Sequence, residues 1–246
     1  MPVEPGGDKG ESYISIIVPA INEGETINTL VEHVHSLPFD GNIELIIVDG
    51  DPEGSTISGI KDPDVVTMTT PKGRALQMNA GASRARGRLL LFLHADTRLP
   101  DSALKHVHAI MEDGRFVAGC LDTDIDSTNP LVRLNARLGS LRARLTRVPY
   151  GDQAFFMERD YFQRIGGFAD IPLMEDVELM GRIRRRGEPI VILPDRAVTS
   201  ARRWEEEGLI YTSLRNSVLL ALFHLGVSPT TLARYYPDPG HGGGCG

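Results

Sequence analysis

The apolar positions of this chain keep two alternating rhythms through its first half. Ile14 to Pro19 and Ile43 to Val48 are β-branched runs, Val65 to Met68 is a shorter one, and Leu89 to Leu93 is leucine-rich and bounded by turn residues. Short continuous runs of this kind predict strands buried on both faces. Between them, Ile27, Leu30, Val31 and Val34 follow helical spacing, as do the segment Arg74 to Ala85 and the set Leu104, Val107, His108 and Met111. Strand and helix in alternation predict an α/β fold: a mostly parallel central sheet with right-handed crossovers and helices on both faces.

After Phe116 the rhythm changes. Strands are expected at Val117 to Leu121, Gln153 to Met157, Ile190 to Leu193 and Ala197 to Ala201. Leu131, Leu134, Leu138, Leu141 and Leu145 form a stripe at helical spacing, and Arg133, Arg137, Arg142, Arg144 and Arg147 cover much of the remaining surface. Core packing is the first reading of that stripe, and contact with an anionic membrane or acceptor is the alternative. Helices are also expected at Asp176 to Arg186, ended by Gly187 and Pro189, at Glu205 to Leu225, and at Pro229 to Tyr235. With no repeat or low-complexity linker, the second half is expected to complete the same domain.

Composition narrows the class. The chain has 246 residues, 41% of them hydrophobic, which suits one large domain or one domain with an appendage. A net charge of -7 speaks against a general nucleic-acid binder, so no nucleic acid is expected as a partner. The two cysteines, Cys120 in an expected strand and Cys245 in a glycine-rich tail, imply neither a disulfide framework nor structural zinc. Met1 to Glu11 is polar and lacks a signal-peptide pattern, and the apolar stretch Val218 to Val227 is too short to span a bilayer. A cytoplasmic protein is the expectation, with disordered tails at 1–11 and 237–246.

The candidate chemistry sits where the expected strands end. The first runs into Pro19, Asn22 and Glu23, the second ends at Asp49, and the fourth ends in His94-Ala95-Asp96. In open α/β sheets ligands bind beyond the carboxyl ends of the strands. Each acid taken alone reads equally as a helix cap or turn residue. Three strands with Glu23, Asp49 and Asp96 at the same end are better explained by one shared pocket. Asp96 would hold a divalent cation against a phosphate there. Gly73 and Arg74 open a helix that also carries Gln77, a place suited to phosphate or base contacts. Gly151, Asp152 and Gln153 open a later strand. Glu175 and Asp176 start a helix, where a carboxylate in reach of a sugar hydroxyl would serve as general base. Arg202-Arg203-Trp204 is expected to close the strand that ends at Ala201; Arg202 could clamp a diphosphate, and Trp204, the only tryptophan, could stack on a ring.

Taken as an ordered set, Ile17-Val18-Pro19-Ala20-Ile21-Asn22-Glu23, Val48-Asp49-Gly50, Gly73-Arg74, Asn79-Ala80-Gly81, Phe92-Leu93-His94-Ala95-Asp96 and Met174-Glu175-Asp176 make the chain resemble a family 2 glycosyltransferase with the GT-A fold. The stretches Tyr150-Gly151-Asp152-Gln153 and Arg202-Arg203-Trp204 look closest to the small stand-alone bacterial members associated with radical-SAM and selenium-related gene neighbourhoods. The resemblance implies a nucleotide-diphosphate sugar donor and a hydroxyl acceptor. Pro19, Glu23, Asp49 and Arg74 would line the nucleoside pocket. Asp96 would match the last acid of the family's Asp-x-Asp motif and hold Mn²⁺ or Mg²⁺, and Asp176 would be the base of an inverting displacement. Two positions depart from the family pattern: His94 stands where a first Asp is usual, and Gly50 where a second Asp often follows Asp49.

The implied division is a glycosyltransferase domain over 12–205, with a nucleotide-sugar half at 12–115 and an acceptor half at 116–205. A helical extension at 206–236 would follow and offers a route to homodimers. Two other functions stay in view. A nucleotidyltransferase would need a glycine-rich triphosphate loop near the first strand, and none is seen. A non-catalytic nucleotide-sugar-binding module would be consistent with His94.

Overall fold

Among the described residues the strands form one eight-stranded sheet, in which, numbered in chain order, they lie 3-2-1-4-7-6-8-5, so the β-branched runs at the front of the chain occupy one side of it. The structure is a computed structural model and describes residues 13–146 and 153–236. Strands β1 (Tyr13–Ala20), β2 (Asn42–Asp49), β3 (Val66–Thr69) and β4 (Leu89–Phe92) pair in parallel, joined by helices α1 (Ile27–Ser36) and α2 (Arg74–Arg84). The short strand β5 (Thr97–Arg98) and helix α3 (Ala103–Glu112) close this half.

The sheet is filled from both sides because neighbouring strand residues point to opposite faces. Ile14, Ile16 and Val18 of β1 join Leu30, Val31 and Val34 of α1 and Leu104 and Val107 of α3 in one core. Ile17 turns to the other face, with Met78 of α2 and a cluster of Phe92, Phe162 and Phe168. Gly81 lets α2 lie against β1, since a Cβ there would come 2.5 Å from Ile17 Cγ2.

The second half supplies β6 (Ala118–Asp126), β7 (Phe155–Glu158) and β8 (Ile190–Ser200), with α4 (Pro130–Thr146), α5 (Arg159–Arg164) and α6 (Glu175–Arg185). β7 runs antiparallel to both β4 and β6, which leaves β6 and β8 parallel to the front strands. The carboxyl ends of β1, β2, β4, β6 and β8, and the amino end of β7, therefore share one rim of the sheet.

Four expectations are corrected here. The two strands expected at Ile190 to Leu193 and Ala197 to Ala201 are one, β8; its register against β6 slips where Leu193 pairs Leu121 and Arg196 pairs Asp122. Pro194 lies in that slip, because proline cannot donate to the ladder. The helix expected at Glu205 to Leu225 is two, α7 (Arg202–Glu207) and α8 (Leu209–His224), broken at Gly208 with φ +86°. Arg202 and Trp204 therefore start a helix rather than close a strand. The leucine stripe is not core: Leu131, Leu134, Leu138 and Leu141 are exposed, whereas Val132, Ala136 and Ser140 of α4 are buried. Small residues bring α4 close to the sheet, and the large ones are turned outward. A last helix, α9 (Pro229–Ala233), packs Leu232 against Leu173 and Leu219. The tails, Tyr150, Gly151, Asp152, Arg147 and Cys245 lie outside the described residues.

Candidate active site

At the rim, β1 and β2 end level, Ala20 opposite Asp49, and the turn after β4 follows directly, with the Leu93 amide donating to Ile17 O at 2.9 Å. Pro19 is half-buried, Asn22 is exposed, and Glu23 lies between the β1 tip and the loop after β2. The Glu23 amide donates to Thr56 Oγ1 at 3.2 Å, and its carboxylate accepts from Thr26 Oγ1 at 2.7 Å and from Arg202 Nη2 at 3.2 Å. Arg202 thus reaches from the start of α7 to the first strand's acid, 179 residues away in sequence.

Asp49 and Asp96 occupy this rim in opposite states. Asp49 is fully buried: Oδ1 accepts from the Asp51 amide at 3.0 Å, and Oδ2 from the Thr56 and Ile57 amides at 2.6 and 3.1 Å. Its carboxylate shapes the loop that Glu23 leans on. Asp96 is exposed beyond β4, with Thr97 Oγ1 donating to its Oδ1 at 3.4 Å and its carbonyl accepting from the Ser200 amide at 3.1 Å. His94 and Ala95 are half-buried beside it, and the His94 carbonyl accepts from the Thr97 amide in a turn.

Helix α2 begins over the tips of β1 and β2. Buried Gln77 donates from Nε2 to the carbonyls of Ala20 and Val48, both at 2.8 Å. That contact accounts for Gly50: a Cβ there would sit 3.0 to 3.1 Å from the Gln77 carboxamide, so an Asp would crowd the bridge. One turn earlier, after Gly73, Arg74 Nε donates to Glu175 Oε1 at 2.5 Å across 101 residues. The charge of Glu175, and then that of Asp176, holds the Arg74 guanidinium more firmly protonated than usual. Both carboxylates are buried at the first turn of α6, where the helix dipole favours negative charge. Asp176 Oδ1 accepts from the Val177 amide at 2.7 Å. Asn79 extends this tie by exchanging hydrogen bonds with the Phe168 backbone at 2.8 and 2.9 Å.

A signal independent of the motifs marks the same rim. Among the described residues, the non-glycine positions with positive φ are Asn22 (57°), Ala154 (46°) and Met174 (68°). Each stands beside a candidate residue: Glu23, Gln153 and Glu175. Left-handed backbone costs an L-residue about 1–2 kcal/mol, and such strain gathers at functional sites.

The structure thus joins Pro19, Asn22, Glu23, Asp49, Gly73, Arg74, Gln77, His94, Ala95, Asp96, Glu175, Asp176 and Arg202 at one end of the sheet. Gln153, at the mouth of β7, donates to Leu121 O at 3.2 Å, while Gly151 and Asp152 lie outside the described residues. Trp204 is half-buried and packs with Ile125, Val132, Ala136 and Ala201. Sequence reasoning missed Asp122 and Asp124, because it ended their strand at Leu121. Asp122 is buried and pairs with Arg144 Nη2 at 2.7 Å. The alternation Asp122-Thr123-Asp124-Ile125-Asp126 was the signal that the strand continues to the rim.

Among the described residues no group of three or more His, Cys, Asp or Glu is arranged to hold a metal ion. The exposed Asp96 nonetheless suits Mg²⁺ or Mn²⁺, which commonly take one or two protein carboxylates and complete their shell with substrate phosphates.

Residues 15–169 match Glycosyl transferase family 2. The chain belongs to this family. Two uncharacterized glycosyltransferases of Mycobacterium tuberculosis, MT1564 of strain CDC 1551 / Oshkosh and Rv1514c of strain ATCC 25618 / H37Rv, are each 30% identical over 190 residues, 73% of this chain and 71% of theirs. Two solved structures share the fold. The mannosyltransferase PcManGT from Pyrobaculum calidifontis, in complex with GDP-Man and Mn²⁺, aligns at a TM-score of 0.58 and 20% identity over 76% of this chain and 56% of its own. GalNAc-T7 with UDP, GalNAc and Mn²⁺ aligns at 0.61 and 17% over 78% of this chain and 44% of its own. The chain thus spans about half the length of those structures. The transferase has the GT-A architecture, and no helix among its described residues is long and apolar enough to cross a membrane.

Proposed function

We propose that this glycosyltransferase moves a sugar from a nucleotide-diphosphate sugar to an acceptor hydroxyl with inversion at the anomeric carbon, with the help of a divalent metal. The observation that carries this reading is the shared rim: an exposed Asp96 beyond β4 and a buried Glu175–Asp176 pair at the start of α6, with Arg74 joined to Glu175, Gln77 bridging the tips of β1 and β2, and Arg202 reaching Glu23. The fold neighbours solved with a nucleotide or nucleotide sugar and Mn²⁺ support a donor and metal of that class.

In this reading residues 12–115 form the nucleotide-sugar half and 116–205 the acceptor half. Pro19, Asn22 and Glu23 border the nucleoside. Asp49 acts through the loop it holds, and Gly73, Arg74 and Gln77 present the start of α2. Asp96, with His94 and Ala95 in its turn, would hold Mn²⁺ or Mg²⁺. Bound there, the cation supplies positive charge against the leaving diphosphate. Glu175 keeps Arg74 in place and Asp176 takes the proton from the acceptor hydroxyl as its oxygen attacks the anomeric carbon; the bond to the phosphate oxygen breaks on the opposite side. Gly151, Asp152 and Gln153 border the acceptor, and Arg202 and Trp204 flank the donor.

The test is a thermal-shift screen of UDP- and GDP-sugars with and without Mn²⁺, followed by transfer assays. Asp96→Ala should lose the metal-dependent shift. Asp176→Asn should keep the donor shift and lose transfer by about 10³-fold, within the range of general-base effects. Full turnover in Asp176→Asn would remove the base assignment. A nucleoside diphosphate that binds far from Asp96 in a manganese-soaked crystal would overturn the whole reading.

A further inference from the structure

The outward leucines of α4 are the least explained feature of the molecule. Leu131, Leu134, Leu138 and Leu141 are between 50% and 62% exposed, although their spacing is that of a buried stripe. At about 100° per residue they fall within an arc of roughly 80°. Arg133, Arg137 and Arg144 lie beyond one border of that arc; Arg142, near the other, is half-buried with one guanidinium nitrogen enclosed. Helix α4 has these four arginines and no acidic residue, in a chain whose net charge is -7. Arg144 pairs with Asp122; among the described residues Arg133 and Arg137 form no ion pair.

Helix α8 touches α4 at one place. Ser213 Oγ donates to Asn135 Oδ1 at 3.2 Å, which brings the two helices together within a turn of Leu131 and Leu138 on one side and of Ile210 and Leu214 on the other. Ile210, Leu214 and Val218, spaced by four, are 47% to 82% exposed. Nothing else in the described chain covers either stripe. Exposed apolar surface on this scale marks an interaction site.

We infer that the α4–α8 face docks the transferase onto the surface of a bilayer that contains anionic lipid. An apolar stripe bordered by arginine is the pattern of a helix lying in the membrane interface: leucines enter the acyl boundary and guanidinium groups reach the lipid phosphates. The net-negative remainder of the protein would be repelled from such a surface, so basic charge gathered on this one helix has a use there that it lacks elsewhere. Charge also decides against a second copy of the chain. A two-fold contact through α4 would set its arginine rows against each other.

Flotation of the full chain with vesicles tests it. Binding is expected to vesicles of phosphatidylcholine with about 30% phosphatidylglycerol, to be weak to phosphatidylcholine alone, and to fall with added salt. Leu134→Glu/Leu138→Glu should lower the partition coefficient about tenfold or more, and Arg133→Glu/Arg137→Glu about tenfold. Both double variants should keep the parent's circular dichroism and melting temperature, because the changed side chains lie outside the core. Absence of flotation with phosphatidylglycerol vesicles overturns the inference, as does flotation that neither double variant weakens. A dimer in light scattering that Leu134→Glu/Leu138→Glu dissociates, without vesicle binding, assigns the face to a second copy and equally overturns it.

Discussion

Helices α1 and α4 carry the same kind of apolar stripe and use it in opposite ways. In α1, Ile27, Leu30, Val31 and Val34 are all buried against the sheet. In α4 the leucines face out, and the helix rests on Val132, Ala136 and Ser140. The difference teaches that helical periodicity predicts a helix with one apolar face but does not say what that face meets. In the front half the nearest apolar surface is the sheet itself. In the rear half the close seat over β6 admits only small side chains, so the bulky ones are excluded from it.

Matched substitutions sharpen that contrast most. Leu30→Ala should cost about 3 kcal/mol in chemical denaturation, the ordinary result of a cavity in a closed core. Leu138→Ala should stay within about 0.5 kcal/mol, as for an exposed site. A cost above about 2 kcal/mol at Leu138 would mean that the leucines of α4 are covered in solution and the contrast false.

Among the contacts that tie the two halves together, two polar ones can each be loosened. Arg74→Met leaves Glu175 buried without its cation and should cost about 2 kcal/mol, less than a fully enclosed pair because Arg74 is partly open to solvent. The double variant Arg74→Met/Glu175→Gln should recover about 1 kcal/mol of that loss. Strict additivity would show that the pair does not couple the halves.

The smaller bolt is Asp195 in the slipped register of β8, which accepts from Ser102 at the start of α3 and pairs with His106 Nδ1 at 2.8 Å. Burial works to raise its pKa, but the hydrogen bonds from Ser102 and His106 outweigh it and hold the carboxyl below its ordinary value. A depressed folded-state value stabilises above the ordinary pKa of about 4 and loses that contribution as pH falls through the folded value. Asp195→Asn should therefore cost about 1 kcal/mol at neutral pH, and the gap from the parent should close as pH falls below the ordinary carboxylate value of about 4. A gap that persists unchanged in acid would show that packing, rather than charge, accounts for the loss.

The amino-acid sequence by itself determined the front sheet, because β-branched and leucine runs of strand length have no other way to leave water, and parallel pairing then forces their polar ends to one rim. Part of the rim was legible as well: Glu23, Asp49 and Asp96 from strand ends, and Glu175 and Asp176 from a helix start, whereas Asp122 and Asp124 were missed with the far end of β6. What it left open was the state of each. Only the folded chain decided that Asp49 is consumed by three backbone amides while Asp96 stays exposed, and that Arg74 and Glu175, 101 residues apart, form a pair. It also decided that Gly50 makes room for Gln77 and that the leucines of α4 look outward. The reason is the same in each case. Periodicity and turn chemistry are local and survive in the one-dimensional order of residues, whereas burial, pairing and crowding depend on neighbours that only packing brings within a few ångströms.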